Sequence, residues 1–167
     1  MGNLFGNIYY WFVNLFGEYL HSFLWGYDCQ TNSWEATNHY LMIGWVMLLT
    51  TLLLFAIYYY WLNHPRFNKW WHWLIVGLGA FVINLLFAGG CANYYLADGL
   101  IPDCLLYTTQ PNGEVIQNIY SYHCWMFGVA NGIISFVLFG IVSIIGKRWS
   151  INCRHTPWKS IFPKRNK

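Results

Sequence analysis

The chain has 167 residues and a mass of 19.7 kDa, with 57% hydrophobic, 22% aromatic and only 9% charged residues. A typical globular domain is roughly 25% charged, so a water-soluble surface cannot be built from this composition; disorder needs low hydrophobicity and high charge, and a small secreted disulfide scaffold lacks long apolar runs. The net charge of +3 conceals a segregation: all nine Lys and Arg lie either in the segment 63–69 or in the tail 147–167, while the acidic residues avoid both.

Crossing a hydrocarbon core of about 30 Å takes roughly 20 helical residues. The first apolar run, 4–25, meets that length but is interrupted by Asn7, Asn14, Glu18 and His21. It has neither the basic n-region nor the small-residue cleavage pattern of a signal peptide. Within it Asn3-Leu4-Phe5-Gly6 recurs as Asn14-Leu15-Phe16-Gly17; on a continuous helix that spacing places both copies on nearly one face. The four polar residues would also share one seam. Glu18 is the only acidic residue in any predicted span. An intramembrane carboxylate marks a functional-site candidate and requires a partner, and His21, one turn on, is the expected one.

Three further runs, 40–62, 70–96 and 119–146, are uninterrupted by charge. Between the second and third spans, Tyr58, Tyr59, Tyr60, Trp61, Trp70, Trp71 and Trp73 bracket the basic connection, where amphipathic rings anchor at the headgroups. The connection 98–118 predicts a small hairpin, Leu105–Thr109 with Val115–Gln117 across Pro111-Asn112-Gly113, because Asn-Gly supplies positive φ angles. Basic residues are retained in the cytoplasm. The expected fold is therefore an all-α integral membrane protein of four transmembrane helices (4–25, 40–62, 70–96, 119–146), with both termini cytoplasmic. The transmembrane domain covers 1–146 and a basic cytoplasmic tail 147–167. The expected location is a plasma or bacterial inner membrane.

Under that topology Cys29, Cys91, Cys104 and Cys124 fall at the outer face and predict two disulfides, with Cys104 stapling the outer loop to Cys29 or Cys91. Cys153 falls in the tail. No C-x-x-C pair of the kind that makes a thiolate reactive is present. Asn14, Thr50 with Thr51, Asn84 and Asn131 come out near the midpoint of their helices, predicting a polar layer at one depth. Such a layer serves interhelical hydrogen bonding or lines a constriction. Cys124, Gly128 and Gly132 at four-residue spacing, and Gly77, Ala80, Asn84 and Ala88, form small-residue faces for helix contact within one chain or between copies. In the tail, Lys147, Arg148, Arg154 and Lys159 suit anionic lipid headgroups. No nucleic-acid motif accompanies the basic charge, so no nucleic-acid partner is expected, nor a cofactor or metal, and no catalytic motif is present.

These features predict a multi-pass protein that self-assembles, as an oligomeric pore or ion channel whose conduit is faced by Asn7, Asn14, Glu18 and His21 and supported by Asn84 and Asn131. A non-catalytic subunit scaffolding a larger membrane complex is the alternative. A membrane thiol oxidoreductase is a third, compatible with the topology alone.

Overall fold

The computed structural model of the protein describes residues 2–34, 37–62 and 69–146. The chain begins with three short helices, α1 (Gly2–Tyr10), α2 (Val13–Phe16) and α3 (Glu18–Trp25). Helix α4 (His39–Ala56) continues through a π-helical turn (Ile57–Trp61), and α5 (Trp70–Ala97) follows. A one-turn helix α6 (Asp103–Leu106) leads into strands β1 (Tyr107–Thr109) and β2 (Val115–Gln117), and α7 (Ser121–Gly146) closes the bundle. Among the described residues three helices are long and apolar enough to cross a membrane: His39–Trp61, Trp70–Ala97 and Ser121–Gly146, of 23, 28 and 26 residues. Residues 26–34, 37–38 and 98–120 lie at one end of this bundle, here the acidic end. Trp61, Trp70 and Gly146, the helix ends that flank the basic segments of the sequence, lie at the other, here the basic end.

The continuous helix expected over 4–25 does not form. Phe12 leaves helical geometry at φ −109° and ψ 7°, and Gly17 takes φ +90° and ψ 148°, a left-handed angle that only glycine adopts without strain. At about 1.5 Å per residue, α1 and α3 each extend roughly 12–14 Å, under half of the hydrocarbon thickness. Instead α1 folds back beside α3, with Gly6 against the Trp25 ring. The folded segment covers only the acidic-end half of the bundle: Phe5 packs on Gly44, Tyr9 stacks on Tyr40 at 4.8 Å and Phe16 meets Phe127 edge-on at 5.3 Å. The sequence repeat therefore does not present two copies on one helix face. Its phenylalanines are both buried, but Gly6 admits a ring while Gly17 turns the chain.

Helices α5 and α7 run antiparallel in backbone contact. A Cβ on Gly128 would stand 2.6 Å from the Leu85 carbonyl oxygen, one on Gly132 would be 2.9 Å from that of Phe81, and one on Gly77 would be 2.8 Å from the Phe136 ring. The predicted small-residue faces thus meet each other within one chain, with Ala80, Asn84, Ala88 and Cys124 fully buried. Around them the bundle exposes apolar side chains, among them Leu49 and Leu53 of α4, Ile75, Val82 and Leu86 of α5, and Val137, Ile141 and Ile145 of α7. Such a belt suits lipid and excludes water.

At the basic end Trp61, Trp70 and Trp71 are exposed, as anchoring requires. Tyr58 and Tyr59 are not: they are buried and pack with Phe55 and Phe139. The π-turn, closed by Leu62 N–H donating to the Ile57 carbonyl at 2.8 Å, belongs to the segment that holds them inward. Trp73 also turns in, its indole N–H donating to Ser143 Oγ at 3.0 Å. Lys147, Arg148, Arg154, Lys159 and Cys153 lie outside the described residues.

The hairpin forms with Tyr107 opposite Gln117 and Thr109 opposite Val115. It is shorter than expected because Leu105 and Leu106 belong to α6. Only Gly113 takes a positive φ, +85°; Gln110 N–H and Glu114 C=O close the loop at 2.8 Å.

The α5–α7 contact yields a paired test. Gly128→Ala is expected to lower the unfolding midpoint in detergent by an amount corresponding to about 1–3 kcal/mol of overpacking. Gly140→Ala, at a position with nothing within 4 Å of an added Cβ, is expected to leave it unchanged or raise it. Equal effects would show that the helices do not touch at Gly128.

Candidate functional site

Two groups of polar side chains emerge, one sealed and one open. The sealed one is the predicted mid-bundle layer. Asn84 Nδ2 donates to the Ala80 carbonyl at 3.0 Å and to Ser135 Oγ at 2.8 Å, and its Oδ1 accepts from Thr50 at 2.9 Å. Ser135 and Thr51 hydroxyls pair at 2.9 Å, and Thr51 also donates to the Met47 carbonyl at 2.6 Å. Asn131 Nδ2 donates to the Asn84 carbonyl at 2.8 Å, and its Oδ1 accepts from the Tyr9 hydroxyl. Asn84, Asn131, Thr51 and Ser135 are all at 0% exposure. Every side-chain amide group in the layer has a partner, so within one copy the layer joins helices.

Asn14 is absent from this layer. The break in the first segment leaves it exposed on α2, and Tyr9 of α1 occupies the place expected for it. Ser135 and Tyr9 were not singled out from sequence. Ser135 lies four residues beyond Asn131 and so shares its face, a signal available in the spacing. Tyr9 gave no such signal, since it reaches Asn131 only because the chain turns back.

The open group is a groove at the acidic end, a cavity of about 570 Å³ lined by Asn7, Tyr10, Glu18, His21, Trp25 and Trp34 among others. The structure thus gathers three of the four predicted seam residues, but by a helical turnaround instead of one helix face. The expected Glu18–His21 ion pair does not form. His21 Nδ1 is hydrogen-bonded to the Tyr40 hydroxyl at 2.7 Å, and burial holds its imidazole below the ordinary value, against the opposing pull of Glu18. Glu18 is exposed and opens α3, where a carboxylate is favoured by the helix dipole.

Glu18, Ser22 and Trp34 also border a second cavity of about 430 Å³ reaching Cys29, Cys104 and Leu105. Cys29 and Cys104 form a disulfide, their Cα atoms 6.4 Å apart, which ties the loop after α3 to α6. Cys91 and Cys124 are free thiols on α5 and α7. The second expected bridge is therefore absent: both residues lie within long helices whose geometry is set by the glycine contacts. No three described His, Cys, Asp or Glu side chains converge to hold a metal ion. Comparison with family models, curated proteins and solved structures finds no match.

Two outcomes follow. In denaturant without reductant, three of the five cysteines are expected to react with a thiol reagent, and Cys29→Ser is expected to release Cys104 as a fourth. Asn84→Ala leaves Thr50 and Ser135 short of a partner and is expected to cost about 1–2 kcal/mol of stability, read as a lower unfolding midpoint.

Proposed function

We propose that this protein is a non-catalytic multi-pass membrane subunit that acts by assembling with other membrane helices. The observation that supports this best is the closed polar layer: Asn84 and Asn131, the supporting groups of the expected conduit, are satisfied together with Thr51 and Ser135 at zero exposure, while the surrounding helix surface is apolar. A lipid-facing belt and a dry centre suit a body that holds neighbours.

The basic end faces the cytoplasm of a plasma or bacterial inner membrane, since the nine Lys and Arg cluster there by sequence. The acidic end then lies outside, in the oxidising compartment that a Cys29–Cys104 bridge requires. The α1–α3 segment enters the outer half of the bilayer without crossing it, so three crossings place Gly2 and the tail on opposite sides. This replaces the four-crossing arrangement, which needs 4–25 as one helix.

An oligomeric channel is the second reading, favoured by one observation: Asn7, Asn14 and Glu18 are exposed in a single copy, as a ring of copies sharing a conduit would need. Particle images of detergent-purified protein together with current measurements in planar bilayers separate the two. The scaffold reading expects no symmetric ring, no current, and normal assembly of both Glu18→Gln and Glu18→Leu. A ring whose current changes in Glu18→Gln would replace it with the channel. Orientation is tested separately: a membrane-impermeant thiol reagent is expected to label Cys153 only in opened cells, and a tag ahead of Gly2 is expected to be reached in intact ones.

A further inference from the structure

Besides the polar seam, the acidic-end groove holds an aromatic wall. Ring centroids run in sequence from Tyr10 to His21 at 5.6 Å, His21 to Trp25 at 5.3 Å and Trp25 to Trp34 at 6.4 Å. Tyr10 and Trp34 remain 60% and 55% exposed, so faces of these rings are open to an occupant. Glu18 is the only carboxylate among the described residues lining this cavity, and Asn7 adds a polar amide. Open π faces beside one carboxylate attract a positive charge from two directions. No Lys or Arg occurs between Met1 and His64, and the chain's six acidic residues all fall in 18–35 or 98–114, so the formal side-chain charge of the segments that carry the groove is negative. His21 is engaged at Nδ1 by the Tyr40 hydroxyl at 2.7 Å, and its burial disfavours the charged imidazole.

We propose that this groove binds a weakly hydrated organic cation, a methylated ammonium of the choline type, with Glu18 as counter-ion and Tyr10, Trp25 and Trp34 as the aromatic walls. The cavity, at about 570 Å³, is in the size range of small-ligand sites, roughly 300–1,000 Å³. A strongly hydrated ion such as Na⁺ or Mg²⁺ gains little from aromatic faces because it keeps its water, whereas a tetraalkylammonium loses little hydration on entering and presents its charge to the rings. The same head group exists free in solution and on phosphatidylcholine, and the groove's position at the acidic end leaves it open to either. The site is independent of the assembly proposed above: it is complete within one chain.

The test is calorimetric titration of the full-length protein, in a maltoside detergent free of ammonium groups, with tetramethylammonium and with choline. Saturable binding in the millimolar range or tighter is expected, with Glu18→Gln weakening it about tenfold or more and Trp34→Leu about three- to tenfold. Both side chains are exposed, and unchanged helical circular dichroism and gel-filtration profile confirm that the variants fold. Repetition in lipid nanodiscs distinguishes the source. Loss of the tetramethylammonium signal in phosphatidylcholine discs, with its retention in phosphatidylethanolamine discs, identifies the lipid head group; retention in both identifies a free cation. Absence of saturable binding, equal competition by KCl, or binding unchanged in both variants would each overturn the proposal.

Discussion

Everything in this bundle rests on how closely α5 and α7 approach. Gly128 and Gly132 bring the two backbones to a distance that any side chain would prevent, and that approach places the Asn84 carbonyl within reach of Asn131 Nδ2. In a bilayer the hydrophobic effect does not drive one helix onto another, because lipid tails are as apolar as leucine. Close packing and hydrogen bonds carry the association, and here they are the same event: the glycines set the spacing, and the spacing closes the amide bonds.

From that pair the third long helix follows. Thr50 and Thr51 on α4 reach Asn84 and Ser135, so α4 is joined to the pair by side-chain hydroxyls. Thr51 gives its proton to the Met47 carbonyl one turn back and accepts from Ser135, while the single proton of Thr50 is shared between Asn84 Oδ1 and the Val46 carbonyl. The result is that the mid-bundle polar groups of the three long helices face one another, while apolar side chains such as Leu53, Ile75 and Val137 face outward. At the basic end the same logic draws in Trp73, whose indole needs a partner and finds Ser143, while Trp61, Trp70 and Trp71 stay outside as interfacial rings.

The short helices solve a different problem. The three long helices leave the acidic-end half of their contact open between α4 and α7, and Phe5, Tyr9 and Phe16 fill it. Tyr9 bonds Asn131 from above the layer, so the folded-back segment also completes the hydrogen bonding of the long helices. Its outer side, facing away from the bundle, is where Glu18 and the aromatic wall remain accessible. The Cys29–Cys104 bridge holds α6 beside the second cavity, which shares Glu18, Ser22 and Trp34 with the groove, so the disulfide shapes the groove's surroundings more than the membrane core.

Much of this was legible in the sequence. Long uncharged runs identify the three long helices because hydrocarbon thickness imposes a length. The four-residue spacing of Gly128 and Gly132, and the small face through Gly77, Ala80, Asn84 and Ala88, announce a helix contact because the period of the helix is local. The hairpin follows from Asn112-Gly113, and Cys104 as a bridging residue follows from its place in the loop. What the sequence could not decide was anything that depends on which surfaces meet. Whether 4–25 runs straight or turns back hangs on Gly17, and glycine permits a positive φ without requiring it; the Gly6–Trp25 and Tyr9–Tyr40 contacts, formed between distant residues, make the turn favourable. His21 takes Tyr40 and not Glu18 for the same reason, since a partner one turn away on the same helix competes with one brought in by packing. Periodicity is a property of the chain, but the choice of partner is a property of the assembled bundle, where only one set of surfaces can be buried at once.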